Sequence, residues 1–129
     1  MFKILKAVKA LLENSTDVTD IVGTKVFPNV APDKDATGRN ISYPLVIMRR
    51  AGMSPTLGKD CRIAETTVEV TAYSTSYDQA IDLAEKIYEA LNGFSGEAEG
   101  IVISKINFAS ADEAFVEVAY VQAIQFIVK

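Results

Sequence analysis

The sequence predicts an α+β fold, with helices packed on one face of a largely antiparallel β-sheet. Two helical segments open the chain, strand-like runs follow, and one capped helix separates them from a closing β-rich segment. Strands and helices do not alternate regularly, and no internal repeat is visible. This order favours the α+β class over a doubly wound parallel sheet.

Length and composition set broad limits on what the chain can be. At 129 residues it has the size of one domain, and we expect a single domain over residues 1–129. A net charge of -4 provides no basic face for general nucleic-acid binding, so we expect no sequence-specific nucleic-acid partner. The single cysteine, Cys61, excludes an intrachain disulfide, and no run reaches the roughly 18 to 20 apolar residues of a membrane span. We therefore expect cytoplasmic synthesis and no membrane partner.

Three helices are predicted from periodicity and caps. Apolar residues at intervals of three and four predict an amphipathic helix from Phe2 to Leu12, with lysines on its other face. A core side and a solvated side explain that helix more simply than membrane-surface binding does. Ser15 or Thr16 is placed to cap a second, short helix, and Ser76 begins a capping box ahead of a helix over Tyr77–Leu91.

Runs of alternating residues predict the strands. In the longest run, Val68 and Val70 should point into the core. Ala51–Asp60 contains glycine and proline and is predicted to be a flexible connection. The last two strands should pair as an antiparallel hairpin joined at Ala109–Ala114. The predicted strands are Tyr43–Arg50, Arg62–Thr75, Ile101–Phe108 and Phe115–Val128.

Few residues are suited to catalysis or metal binding. The chain has no histidine, which removes the commonest general base and the commonest metal ligand. Cys61 has no histidine to activate it and is best explained as a small residue at the start of a strand. The paired carboxylates lack calcium-loop spacing and are best explained as solvated charge. We therefore expect no enzyme, no catalytic or metal-binding residue and no cofactor.

Two long connections contain the candidate partner-binding residues. The segment Asn29–Ser42 is unusually long for a compact domain, and loops of this length are often functional. Basic residues near both connections could form a local patch that meets an acidic subunit or a phosphate backbone, or could be strand-end charges that keep a sheet edge soluble. The candidates are Asp33, Asp35, Arg39, Arg49, Arg50, Lys59 and Arg62.

Four motifs, taken in order, carry a resemblance to a known family. They are DIVGTKVFP at Asp20–Pro28, SYPLVIM at Ser42–Met48, TTVEVTAYS at Thr66–Ser74 and YDQAIDLAEKIYEAL at Tyr77–Leu91. In this order the chain resembles the tail-completion family of long-tailed bacteriophages and prophages, which includes tail terminators and head-tail joining proteins. The resemblance covers nearly the whole chain, and it depends on the order and spacing of packing motifs rather than on any chemical signature.

This resemblance implies a structural assembly protein. Such a protein would form a homo-oligomeric ring, for example of six subunits, that caps the head-proximal end of the tail tube and offers a surface to the head connector. It would be made in the bacterial host cytoplasm and reside in the virion, at the junction of tail and head. A ring needs a heterologous interface between subunits. The candidate interface on the second face of the terminal strand is Phe115, Val121 and Ile127, since Tyr120, Ile124 and Phe126 suffice for the core.

Two alternatives remain open at this point. A small ligand-binding or regulatory domain on a ferredoxin-like α+β sheet would have a defined pocket, and its ligand would raise thermal stability by mass action. A head-tail connector protein one step nearer the capsid would share the fold and the assembly role.

Overall fold

The computed structural model describes residues 2–32, 38, 41–55 and 63–129. These residues form three helices and seven strands, and the predicted α+β class is confirmed. The helices are α1 (Ile4–Asn14), α2 (Thr16–Val22) and α3 (Tyr77–Leu91). The strands are β1 (Val26–Pro28), β2 (Leu45–Pro55), β3 (Ile63–Ser74), β4 (Gly96–Ala98), β5 (Ile101–Ile103), β6 (Ile106–Val116) and β7 (Ala119–Val128).

Five of the strands form the main sheet, in the order β1-β2-β3-β7-β6. Only the pairing of β1 with β2 is parallel, so the sheet is largely antiparallel, as predicted. β4 and β5 form a separate two-stranded hairpin. β6 is therefore an outer strand of the main sheet, which matters for the candidate site.

The core lies between the helices and one face of this sheet. Val68 and Val70 of β3 are fully buried, as predicted, and they pair with Phe126 and Ile124 of β7. Residues opposite each other on paired strands point to the same face of a sheet, so these four belong to one face. The helices add Ile4, Ala7, Val8, Leu12, Val18, Val22, Leu83, Ile87 and Leu91 to the same buried cluster. The other face of the sheet, which we call the open face, carries the intervening strand residues.

Side-chain caps start the second and third helices. The Ser15 hydroxyl accepts from the Val18 backbone N–H at 3.4 Å, which settles the predicted choice of cap for α2. At α3 the Ser76 hydroxyl accepts from the Gln79 backbone N–H at 3.4 Å. A capping box also requires the Gln79 side chain to accept from the Ser76 backbone N–H, and here it does not. Instead Ser74 Oγ accepts from that N–H at 3.0 Å and donates to Gln79 Oε1 at 2.7 Å.

The closing hairpin differs from its prediction. Residues 109–114 are part of β6, and the turn between β6 and β7 is Glu117–Val118. The sequence ASADEA has low strand propensity, but pairing with β7 imposes an extended backbone, and a bulge between Phe108 and Ser110 absorbs the irregularity. The predicted strand Ile101–Phe108 is likewise divided in two, because the backbone at Ser104 turns to donate to Lys129.

The second correction concerns the end of β2. The strand continues past Arg50 to Pro55, so the first half of the predicted connection Ala51–Asp60 is paired with β3. A register shift between Arg50 and Gly52 lets the strand continue through a glycine. Residues 56–60 lie outside the described residues.

Candidate assembly surfaces

The terminal hairpin projects an exposed segment, residues 108–118, which we call the arm. Every one of its residues is exposed, although most of them belong to a strand. Four of them are large and apolar, with between 44% and 64% of their surface accessible, namely Phe108, Phe115, Val116 and Val118. A long outer strand with exposed apolar side chains is a template for association unless something covers it. The arm therefore has the character of a protein-binding surface.

The first turn of α3 holds the arm in place. Tyr77 Oη donates to Glu113 Oε2 at 3.0 Å, and Gln122 Nε2 donates to the same oxygen at 2.9 Å. The Tyr77 ring meets the Tyr120 ring edge-on at 5.4 Å, and Phe115 lies 4.8 Å from Tyr120, both between ring centroids. Such aromatic pairs prefer these tilted geometries. The arm is thus anchored by a small polar and aromatic cluster at its tip.

The anchor shifts the acid–base properties of both partners. The hydrogen bonds from Gln122 and Tyr77 stabilise the carboxylate and lower the pKa of Glu113 below its usual value. The same hydrogen bond to Glu113, together with the negative charge, raises the pKa of Tyr77. These hydrogen bonds to the Glu113 carboxylate therefore contribute fully to stability above the ordinary glutamate pKa. The contribution is lost as the pH falls through the lowered pKa of Glu113.

Tyr77→Phe should raise the pKa of Glu113 part of the way to the ordinary glutamate value of about 4.3, because one of its two donors is lost. An NMR titration of the Glu113 side-chain carboxyl measures this directly. Tyr88→Phe is the matched control, since the Tyr88 hydroxyl accepts from Asn92 instead and should leave Glu113 unchanged. Equal titration curves for wild type and Tyr77→Phe would contradict the anchor.

An apolar groove runs between α3 and the arm. It has a volume of about 240 Å³. Tyr88 of α3 meets Phe108 of the arm edge-on, with ring centroids 5.5 Å apart, while the small side chains of Ala84 and Ala111 leave space between the two elements. The lining residues are Ile81, Ala84, Glu85, Tyr88, Phe108, Ala111, Gln122 and Ile124. Most of this lining is apolar, and its charged group is the Glu85 carboxylate.

The open face of the sheet carries a half-buried polar set. Arg49 Nε lies 3.2 Å from Glu69 Oε1, and Gln125 Nε2 donates to Glu69 Oε2 at 3.4 Å. Half-exposed ion pairs of this kind contribute at most about 1 kcal/mol. Ile127 is half-buried on the same face. This face is less apolar and less exposed than the arm.

The structure separates the two arginines of the predicted basic patch. Arg49 pairs with Glu69 on the open face, whereas Arg50 points to the helix side. There Arg50 Nη1 donates to the Phe2 carbonyl oxygen at 3.2 Å, and its guanidinium lies 4.8 Å from the centroid of the Phe2 ring. The other predicted partner-binding residues lie outside the described residues; they are Asp33, Asp35, Arg39, Lys59 and Arg62.

The three predicted interface residues do not share one surface either. Phe115 is exposed and pairs with Tyr120, which places it on the side of α3. Val121 and Ile127 belong to the open face, and Val121 is only 8% exposed, so it has little surface to offer a neighbour. Sequence reasoning did not identify Val116, Val118 or the groove as surface features.

Two further observations concern metal binding and membrane-spanning helices. Among the described residues, no group of three or more histidine, cysteine or acidic side chains is placed to hold a metal ion. Within the same part of the chain, none of the helices combines the length and apolar character needed to cross a membrane.

The exposed apolar arm and groove of this α+β fold are typical of proteins that bind other proteins. Residues 6–122 match the family model described as tail completion protein gp17, and the chain belongs to this family. The predicted family is thereby confirmed, and the chain is a structural protein of the virion tail.

The fold is also similar to that of a solved structure. One of the matching chains comes from the "Virion of native gene transfer agent (GTA) particle", with a TM-score of 0.77 and 18% sequence identity, covering 95% of this chain and 90% of that one. At this identity the likeness is one of fold. Among curated proteins, none matches the sequence significantly.

Proposed function

We propose that the chain forms a ring that caps the head-proximal end of a phage tail tube and helps to join the tail to the head. The observation that carries this proposal is the family match over residues 6–122, which makes the protein part of tail completion. Its partners are further copies of itself, the tail tube and the head connector. The proposal includes no catalytic step.

The sheet supports a ring because its two edges are different. β6, with the apolar arm, forms one edge, and the short strand β1 forms the other. A contact between unlike surfaces of neighbouring copies is heterologous, and it closes into a ring when the rotation per subunit allows. Phe115 and its apolar neighbours on the arm provide the exposed area that such a contact needs. Ile127, on the open face, is available for a contact with a different partner.

The groove favours one alternative from another class. An apolar groove of about 240 Å³ with a carboxylate on its rim could hold a small molecule, as a ligand-binding domain would. Such a ligand would raise the melting temperature with concentration. A connector protein next to the tail terminator is a second alternative, and it differs only in which virion partner it binds.

The native mass in solution and binding to purified tail tubes test the proposal together. A ring of six subunits of 14.0 kDa, for example, would have a mass of about 84 kDa. We expect such a ring either in solution at high concentration or at one end of each tube, where it stops the addition of tube subunits. Protein that stays monomeric and leaves tube growth unchanged would contradict the proposed role.

A further inference from the structure

The first and third helices contact each other but lie over different strands of the main sheet. α1 packs on β1 and β2, whereas α3 packs on β3 and β7 and reaches β6. Given the strand order β1-β2-β3-β7-β6, α1 lies toward the β1 edge of the main sheet and α3 toward the β6 edge.

The α3 side of the molecule is strongly acidic. Four carboxylates lie on α3 and one, Glu113, lies on the face of the arm that meets α3; the basic residue among them is Lys86. Glu85 lines the groove itself, and Glu113 lies beside it on the arm. These exposed carboxylates are Asp78, Asp82, Glu85, Glu89 and Glu113. An apolar groove with an acidic rim is complementary to an apolar side chain surrounded by positive charge.

The opposite side carries such a group, which we call the basic end. Phe2 is 72% exposed, and the Arg50 guanidinium lies against its ring. Lys3 and Lys6 are exposed on the first turns of α1, and neither has a carboxylate partner among the described residues. The basic end therefore combines one exposed aromatic ring, covered on one side by Arg50, with two exposed lysines at the start of α1.

We propose that the basic end of one copy docks in the groove of the next copy, with the Phe2 ring between α3 and the arm and Lys3 and Lys6 against the carboxylates of α3. This contact rests on the proposed ring and names the surfaces that form it.

Size and charge both fit this occupant. A volume of 240 Å³ corresponds to roughly eight liquid waters, enough for one aromatic ring. Tyr88 and Phe108 in the lining offer the Phe2 ring aromatic partners. Opposite charges on the two sides attract neighbouring copies and disfavour contacts between like sides. Each copy has one groove and one basic end, so the contact is heterologous and can propagate around a ring.

Charge reversal in separate chains tests the contact. Lys3→Glu with Lys6→Glu replaces the two lysines of the basic end by carboxylates, and Asp82→Lys with Glu85→Lys replaces two carboxylates of α3 by lysines. Each variant alone therefore sets like charges against each other at these positions and should self-associate at least about tenfold more weakly. An equal mixture should recover association, because the two variants can alternate around an even-numbered ring. Glu65→Lys with Lys129→Glu is the control and should behave as wild type, because it reverses an ion pair of 3.6 Å whose Glu65 lies on the open face, away from the helices. Sedimentation in solution and occupancy on tail tubes give the readout. Unchanged association of either variant, or no recovery on mixing, would overturn the proposal.

Cross-linking locates the contact independently of charge. One chain carries Phe2→Cys and a second carries Ala111→Cys, both with Cys61→Ser, so that a disulfide between them must join two copies. Under a mild oxidant we expect a disulfide-linked dimer that contains one chain of each variant, in solution or on tubes, and none when Val102→Cys, an equally exposed site, replaces Phe2→Cys. If the wild-type chain caps tubes but the cysteine variants form no cross-link, the docking contact is refuted and the proposed function stands. A chain that gives the cross-link but never binds tubes supports the contact and refutes the proposed function.

Discussion

Replacing Phe126 with alanine should lower the free energy of unfolding by about 3–5 kcal/mol. Phe126 is fully buried on β7, opposite Val68, and among the described residues it is the bulkiest fully buried side chain. Truncation removes its transfer free energy and leaves a cavity that the surrounding strands and helices fill only in part. Urea unfolding followed by far-UV circular dichroism measures the loss.

Phe115→Ala is the matched control, because it makes the same change on the same hairpin at an exposed position. Its loss should stay below about 1 kcal/mol, mostly from the contact with Tyr120. Similar losses at the two positions would mean that the arm belongs to the core, which would remove its role as a surface for partners.

Phe115→Ser with Val118→Ser should leave the fold intact and disable tail completion. Both side chains are exposed at the tip of the arm, so their loss costs the monomer little, but a partner that buries them loses its apolar contact. In particles that depend on the variant chain, we expect the yield of tails joined to heads to fall at least about tenfold. Electron microscopy counts of joined and free tails measure this yield.

Val102→Ser is the control for that experiment. Val102 is 75% exposed on β5, away from the arm, so its replacement removes exposed apolar surface of the same kind. It should leave the yield of joined tails unchanged. If both variants reduce the yield equally, or if neither does, the arm has no special part in assembly.

Local signals predicted the helices well. α3 covers Tyr77–Leu91, the range predicted, and it begins at the Ser76 cap because such a signal acts within one turn of the helix. The core positions Val68 and Val70 followed from alternation along one strand. Both kinds of inference need only neighbours in sequence.

Pairing between distant segments explains the errors. Residues 109–114 have the composition of a loop, and β7 makes them a strand. The turn Glu117–Val118 lacks the Asn-Gly or Asp-Gly signature of a tight hairpin, so no local signal marked it. β2 passes through Gly52 because β3 continues to pair with it. In each case pairing with a distant strand determines the backbone conformation, and the local sequence does not predict that pairing.

The sequence predicted the surface features only in part. Adjacent residues of a strand point to opposite faces, so strand alternation alone predicts that Arg49 and Arg50 lie on different faces. The groove could not be predicted in this way, because it depends on the spacing between α3 and β6, set by Ala84 and Ala111 from distant parts of the chain. The single domain over residues 1–129 stays a prediction.

Cryo-electron microscopy of the head-proximal end of tails from particles that carry this chain tests the central claim most directly. The account predicts one closed ring of this fold at that end of the tube, with the arm of every copy against its neighbour. The same fold found along the tube or at its distal tip, or capped tails without it, would contradict the account.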